Sequence, residues 1–304
     1  MPTLTNSTSW LWLTVAGLLV GIPSLLALDV LLGLVYRTST HAGVSITLPR
    51  SGTARRVIVI FPGYLMPGRL LGDAFAPFVA VDDAIVAVNY PDRGIDILQI
   101  HTKVMAALQS LKPDELRVYA ASMGGMVAKL FLDCYREAGL PYGKVVVILD
   151  TALANRDNVK RPPFLLNMSC WYRGGPLSSA LWTAASLLGD RLPMEEDAPQ
   201  EVVSAARAAL GRAGMPAVTS QACFIMKFVP IKEGELADVV RQVTYIHGTS
   251  PNLDPLVRIS DAIDAWRKGF PGLVVISLRH RSARWHLPLV EYPREICRHI
   301  VAAP

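Results

Sequence analysis

The sequence of 304 residues predicts an α/β fold: a mainly parallel central sheet flanked by helices, with a helical segment inserted between two of its strands. Three observations predict it. Continuous Val- and Ile-rich runs, suited to strands buried on both faces, recur from residue 57 onward. Stretches with helical spacing separate them. The alternation then stops for roughly 90 residues, from 151 to about 240, and resumes afterwards.

The first 36 residues form a unit of their own. Between Trp10 and Tyr36 the one charged residue is Asp29, and the first cation is Arg37. About 20 apolar residues at roughly 1.5 Å each span a bilayer core. Trp10 and Trp12 at one end and Tyr36 with Arg37 at the other suit the two headgroup regions. A mid-bilayer carboxylate costs about 2.5–3.5 kcal/mol, so the span is expected to end near Leu28, with Asp29 at the interface and Pro23 able to kink it. A retained single-pass anchor is the favoured reading, against a cleaved signal peptide or a helix packed on the domain. No basic residue precedes the run and no Ala-x-Ala site follows it. Arg37, Arg50, Arg55 and Arg56 lie C-terminal to it, which favours a cytoplasmic domain, with export through a signal peptide as the alternative. The Gly17-x-x-x-Gly21 spacing could support weak self-association.

Residues 37–304 then read as the α/β domain. Strands are expected at Val57–Phe61, Ala84–Val88, Leu116–Ala120, Lys144–Leu149, Val243–Ile246 and Leu273–Ser277. Helices are expected over 95–111, Gly125–Tyr135, 255–268 and about 289–301. The stretch 151–240 is broken by Pro162-Pro163, Gly174-Gly175-Pro176 and Pro193, and is too long for a plain loop. Its two ends return to the sheet, so it reads as a helical cap. Phe164, Leu165, Leu166, Trp171 and Trp182 could line an apolar pocket or form the cap's own core.

Charge and cysteine content narrow the classes. The net charge is +5; residues 1–36 carry only Asp29, so the remainder carries +6, compatible with an anionic membrane surface. No nucleic-acid motif is present. Cys134, Cys170, Cys223 and Cys297 are scattered without metal spacing or a disulfide framework, which fits a reducing compartment.

The strongest local signal is Tyr119-Ala-Ala-Ser-Met-Gly-Gly125, a strand, a serine and a helix start in immediate succession. A tight strand–turn–helix needs small residues two before and two after its central residue, and Ala120 and Gly124 meet that need. This segment resembles the nucleophile elbow of the α/β-hydrolase family, with Ala120 in place of the commoner Gly. The resemblance runs from the strand before Gly63 to the C-terminus, excluding the cap. It implies an α/β-hydrolase fold with Ser122 as nucleophile. Phe61-Pro62-Gly63-Tyr64 corresponds to the family's oxyanion loop, with Phe-Pro replacing the usual His and Gly63 kept. The implied oxyanion donors are the backbone N–H groups of Tyr64 and Met123.

A serine hydroxyl needs a base, and six histidines are available. His286 follows the last strand and precedes the terminal helix, where this fold keeps its base; His280 is its nearest rival. His247 has the look of a structural His-Gly. The implied acid is Asp254 in Gly248-Thr-Ser-Pro-Asn-Leu-Asp254, which could alternatively cap a helix starting at Pro255, and Asp150 is the other candidate acid. The order Ser122, Asp254, His286 is the order the family requires. Arg279, Arg281 and Arg284 beside His286 could attract an anionic head group, or form a solvated loop. The resemblance thus implies a serine esterase or lipase-like hydrolase, with no cofactor or metal, acting on a small-molecule acyl ester; the anchor beside an apolar cap favours a lipid-like or medium-to-long acyl group. Thioesterase, acyltransferase or perhydrolase chemistry, and a non-catalytic interaction role, are the alternatives.

Overall fold

A computed structural model describes residues 6–35, 41–160, 163–188, 212–248, 256–278 and 293–302, together with Ser204, Ala208, Asn252 and Asp254. Seven strands form one sheet: β1 (Gly43–Thr47), β2 (Arg56–Phe61), β3 (Asp83–Asn89), β4 (Glu115–Ala121), β5 (Val145–Asp150), β6 (Val240–His247) and β7 (Val274–Ser277). Their spatial order is β1-β3-β2-β4-β5-β6-β7. Every neighbouring pair is parallel except β1 with β3. The Val/Ile runs are central because both their faces are covered: β2 is buried from Val57 to Phe61 and β5 throughout. Edge strand β1 is mixed in burial and was not anticipated from its sequence.

Helices α2 (Gly68–Phe75), α3 (Ile97–Leu111), α4 (Gly124–Glu137), α8 (Ile259–Gly269) and α9 (Pro293–Ala302) accompany the sheet. One apolar layer joins one sheet face to α3, α4 and α8 through Val104, Phe131 and Trp266. A second joins the other face to α2 and α9 through Leu71, Phe75, Ile296 and Ile300. The long connection between β5 and β6 carries α5 (Pro163–Trp171), α6 (Pro176–Leu188) and α7 (Met215–Lys227).

The N-terminal helix α1 (Asn6–Val35) differs from expectation in its extent. It continues through Pro23 and past Asp29, and Asp29 is buried against the β5–β6 connection. Within it, Thr14–Gly33 is long and apolar enough to cross a membrane. A Cβ at Gly17 or Gly21 would meet no atom within 4 Å, so that face of the helix is open.

The cysteine reading needs correction. Cys170 of α5 and Cys223 of α7 form a disulfide across 53 residues of sequence, while Cys134 and Cys297 are thiols. Packing of α5 on α7 brings their Cα atoms to 4.7 Å, which residue spacing could not disclose. Trp171, expected to line a pocket or the insertion's core, does neither: it is 90% exposed. The side chains of Phe164, Leu165 and Leu166 lie outside the described residues.

Candidate active site

The sheet's topology fixes where a site can form. Strand order reverses at β2, with β3 on one side and β4 on the other, and ligands of open parallel sheets bind beyond strand C-termini at such a switch point. Register aligns those ends. Phe61 pairs with Ala120, Ala121 with Asp150, Asp150 with Ile246, and His247 with Ser277. The segments carrying Tyr64, Ser122 and Asp254 therefore leave the sheet along one edge, the edge at which β7 also ends.

Ser122 stands at the end of β4 with φ +50°, a left-handed conformation that a serine rarely adopts. Its neighbours hold it there. Ser122 N–H donates to Asp150 O at 2.9 Å, and Leu153 N–H donates to Ser122 O at 2.9 Å. Helix α4 begins two residues later, its N-terminus directed at the turn. The requirement for Gly124 is steric: a Cβ there would lie 2.1 Å from Phe61 O and 2.7 Å from Pro62 O. Gly125 is similarly constrained, since its Cβ would lie 2.7 Å from the Ala152 side chain. The start of α4 is thus pressed onto the end of β2, bringing the 62–66 loop alongside Ser122. Met123 is buried at the N-cap of α4.

The loop after β2 is held from the β5–β6 connection and from the residue following β3. Leu65, with φ +57°, donates its N–H to Gln221 Oε1 at 2.7 Å. Tyr64 OH donates to Val218 O at 2.8 Å, and Tyr90 OH to Pro62 O at 3.0 Å. Gln221 is buried on α7 and had no mark in the sequence: a lone glutamine in a helix gives no signal until its loop partner is known.

The two candidate acids differ in surroundings. Asp150 is fully buried, accepts from Tyr119 OH, and has Thr151 Oγ1 at 3.4 Å. Burial, with the Asp150 carboxylate beside it, pushes the Tyr119 phenol well above its ordinary pKa, so it stays protonated as a donor. Asp254 lies in the loop after β6 and is also buried. Its Oδ1 accepts from Leu256 N–H at 2.8 Å and Val257 N–H at 2.7 Å. It therefore caps a local turn, and helix α8 starts later, at Ile259. That turn is tied to the segment after β5: Lys160 Nζ donates to Asp254 O at 2.6 Å, and Arg258 N–H to Asn158 O at 2.7 Å.

His247 is buried, and burial pushes its imidazole below the usual pKa; its Nδ1 lies 2.5 Å from Gly248 O. His101 lies on α3 against Phe131. His286 and His280, with Arg279, Arg281 and Arg284, lie outside the described residues.

No protein-family model matches this chain, and no curated protein matches it in sequence. Solved structures do match in shape. A putative aryl esterase from Burkholderia cenocepacia superposes with TM-score 0.59 at 15% identity, covering 87% of this chain and 96% of its own. The enol-lactonase of Burkholderia xenovorans gives TM-score 0.59 at 14% identity, covering 86% and 95%. The type II thioesterase of the borrelidin biosynthetic cluster gives 0.53 at 16% identity, covering 84% and 94%. The chain has the α/β-hydrolase fold.

Proposed function

We propose that the protein is a serine hydrolase that cleaves a carboxylic ester through an acyl-enzyme intermediate. The observation that carries this reading is the left-handed Ser122 at the β4–α4 turn, with Gly124 packed on the end of β2. Strain of this kind costs of order 1 kcal/mol or more and concentrates at functional sites.

In this reading Ser122 Oγ attacks the ester carbonyl while His286, in the segment after β7, takes its proton. Asp254 orients the imidazole and stabilises its charged form. Its candidacy over Asp150 rests on chain order and on the Asp150 contact with Tyr119. The backbone N–H groups of Tyr64 and Met123 receive the oxyanion, each donor contributing about 10²–10³ in rate. The alcohol leaves with the proton from His286, and water activated by the same imidazole releases the acid. The β5–β6 connection acts as a cap over this edge of the sheet, and α1 as a membrane anchor, which together favour a lipid-like acyl ester. A thioester is the second reading, favoured by the thioesterase among the structural neighbours.

The test is active-site labelling with a fluorophosphonate. Wild type and Asp150→Asn should label; Ser122→Ala should not, and His286→Ala and Asp254→Asn should label at least tenfold more slowly. Unlabelled wild type, or labelled Ser122→Ala, overturns the reading. Oxygen and sulfur esters of graded chain length then separate esterase from thioesterase.

A further inference from the structure

The one charged residue of α1 is built into the rest of the molecule. Asp29 is 2% exposed. Its Oδ1 accepts from Leu177 N–H at 2.8 Å; its Oδ2 accepts from Ser178 N–H at 3.2 Å and from Tyr172 OH. Leu177 and Ser178 form the first turn of α6, whose N–H groups have no partner within their own helix. A carboxylate on α1 therefore caps α6 from outside, at the end of the helix dipole that favours an anion. Around this joint the backbones touch. A Cβ on Gly175 would lie 2.0 Å from Asp29 O, and one on Gly33 would lie 2.6 Å from Gly174 O. From the exposed turn after β3, Arg93 donates to Gly33 O at 2.8 Å. The remainder of α1 is bare: only 6% of its most apolar window is buried.

Helix length places this joint in depth. Trp10–Leu28 is 19 residues, about 28 Å of helix, close to the roughly 30 Å of a bilayer's hydrocarbon core. With that stretch in the bilayer, Asp29 stands at its boundary, and whatever bonds Asp29 stands at the same depth. Those groups carry apolar neighbours. Trp171 is exposed and adjoins Tyr172; Leu177, also exposed, gives its own N–H to Asp29. Met168 is exposed one turn before Tyr172, and Leu181 one turn after Leu177 on the same stripe of α6. Exposed Trp and Leu are unfavourable in water but suit the interfacial layer, where Trp is enriched.

We propose that α1 is retained in the mature protein, and that Met168, Trp171, Leu177 and Leu181 seat the β5–β6 connection in the interface of the same phospholipid bilayer, with Asp29 as the joint that sets its depth. The inference rests on α1 entering a membrane and is independent of the reading of Ser122.

The test uses the full chain reconstituted into phosphatidylcholine–phosphatidylglycerol vesicles, with lipids brominated either near the headgroup or deep in the acyl chain. The difference between wild type and Trp171→Phe isolates the Trp171 emission. It should be blue-shifted and quenched more strongly by the shallow bromines, and the intact mass should include α1. In Asp29→Ala the shallow quenching of Trp171 should fall at least twofold while the quenching of Trp10 and Trp12 in α1 persists; Asp29→Asn, which keeps one acceptor, should fall between. Fluorophosphonate labelling of each variant, relative to wild type, checks that the domain is folded, and a failure to label in wild type leaves the lipid readout intact. Trp171 emission unaffected by either bromine, a mature chain lacking α1, or Asp29→Ala indistinguishable from wild type would each overturn the proposal.

Discussion

Glycine at 124 is required by backbone contact. The carbonyl oxygens of Phe61 and Pro62 occupy the space a Cβ would take, and both belong to the end of a central strand and its loop. Neither can yield as the tip of a flexible side chain would. Gly124→Ala should therefore push α4 away from β2, costing about 1–3 kcal/mol as overpacking does. Thermal unfolding should shift down by several degrees, and fluorophosphonate labelling should slow at least tenfold, because Ser122 and the 62–66 loop separate. Gln221 acts on the same loop from the other side. Gln221→Leu removes the acceptor of the buried Leu65 N–H, a loss of about 1–3 kcal/mol where no water replaces it. If the loop carries the oxyanion donor proposed for Tyr64, kcat on an ester substrate should fall about tenfold with KM little changed. Gln221→Glu, which keeps an oxygen at the same reach, should recover most of kcat. A Leu variant as active as wild type would separate Gln221 from the site.

The elements show which parts of the molecule the sequence discloses. Strands β2, β3 and β5 were legible because a parallel strand covered on both faces must be largely apolar, and Val57–Phe61 or Val145–Leu149 can hardly be anything else; β4, β6 and edge strand β7 were legible from shorter apolar runs. Edge strand β1 (GVSIT) and the short α2, with Gly at its first and fifth positions, lack such runs and carry no comparable signal. The Ser122 turn was legible because its steric demand falls on neighbours in sequence. Contacts made between distant helices were not: Gln221 with Leu65, Asp29 with α6, and Cys170 with Cys223 depend on how the β5–β6 connection folds back. The disulfide is open to a direct check. Closing a 53-residue separation stabilises by about 4 kcal/mol in the chain-entropy account. Peptide mapping without reductant should find Cys170 joined to Cys223, and Cys170→Ser should lower the unfolding midpoint, with the double serine variant no worse than the single. An unlinked pair in oxidised protein would remove the constraint.

Across the whole molecule, with α1 in a membrane as proposed, two features give opposite answers about which side the domain faces. Arg37, Arg50, Arg55 and Arg56 all follow α1, and cations near a span favour the cytoplasmic side. A disulfide within the domain favours an oxidising compartment. The charge signal is spread thinly, with only Arg37 close to the end of the helix, and charge bias acts weakly on the translocation of long domains. The pairing of Cys170 with Cys223 is the more specific of the two signals, since it ties two named helices together. The expected orientation is therefore with the domain outside the cytoplasm, opposite to the arginine reading. In sealed right-side-out membrane vesicles, added protease should digest the domain. A maleimide applied to living cells before lysis should leave Cys170 and Cys223 unmodified until reductant is added, while Cys134, half-exposed and unpaired in disulfide terms, reacts under denaturation without it. A protected domain whose Cys170 and Cys223 are both alkylated in the cell would restore the cytoplasmic orientation, and would make the disulfide a product of later oxidation.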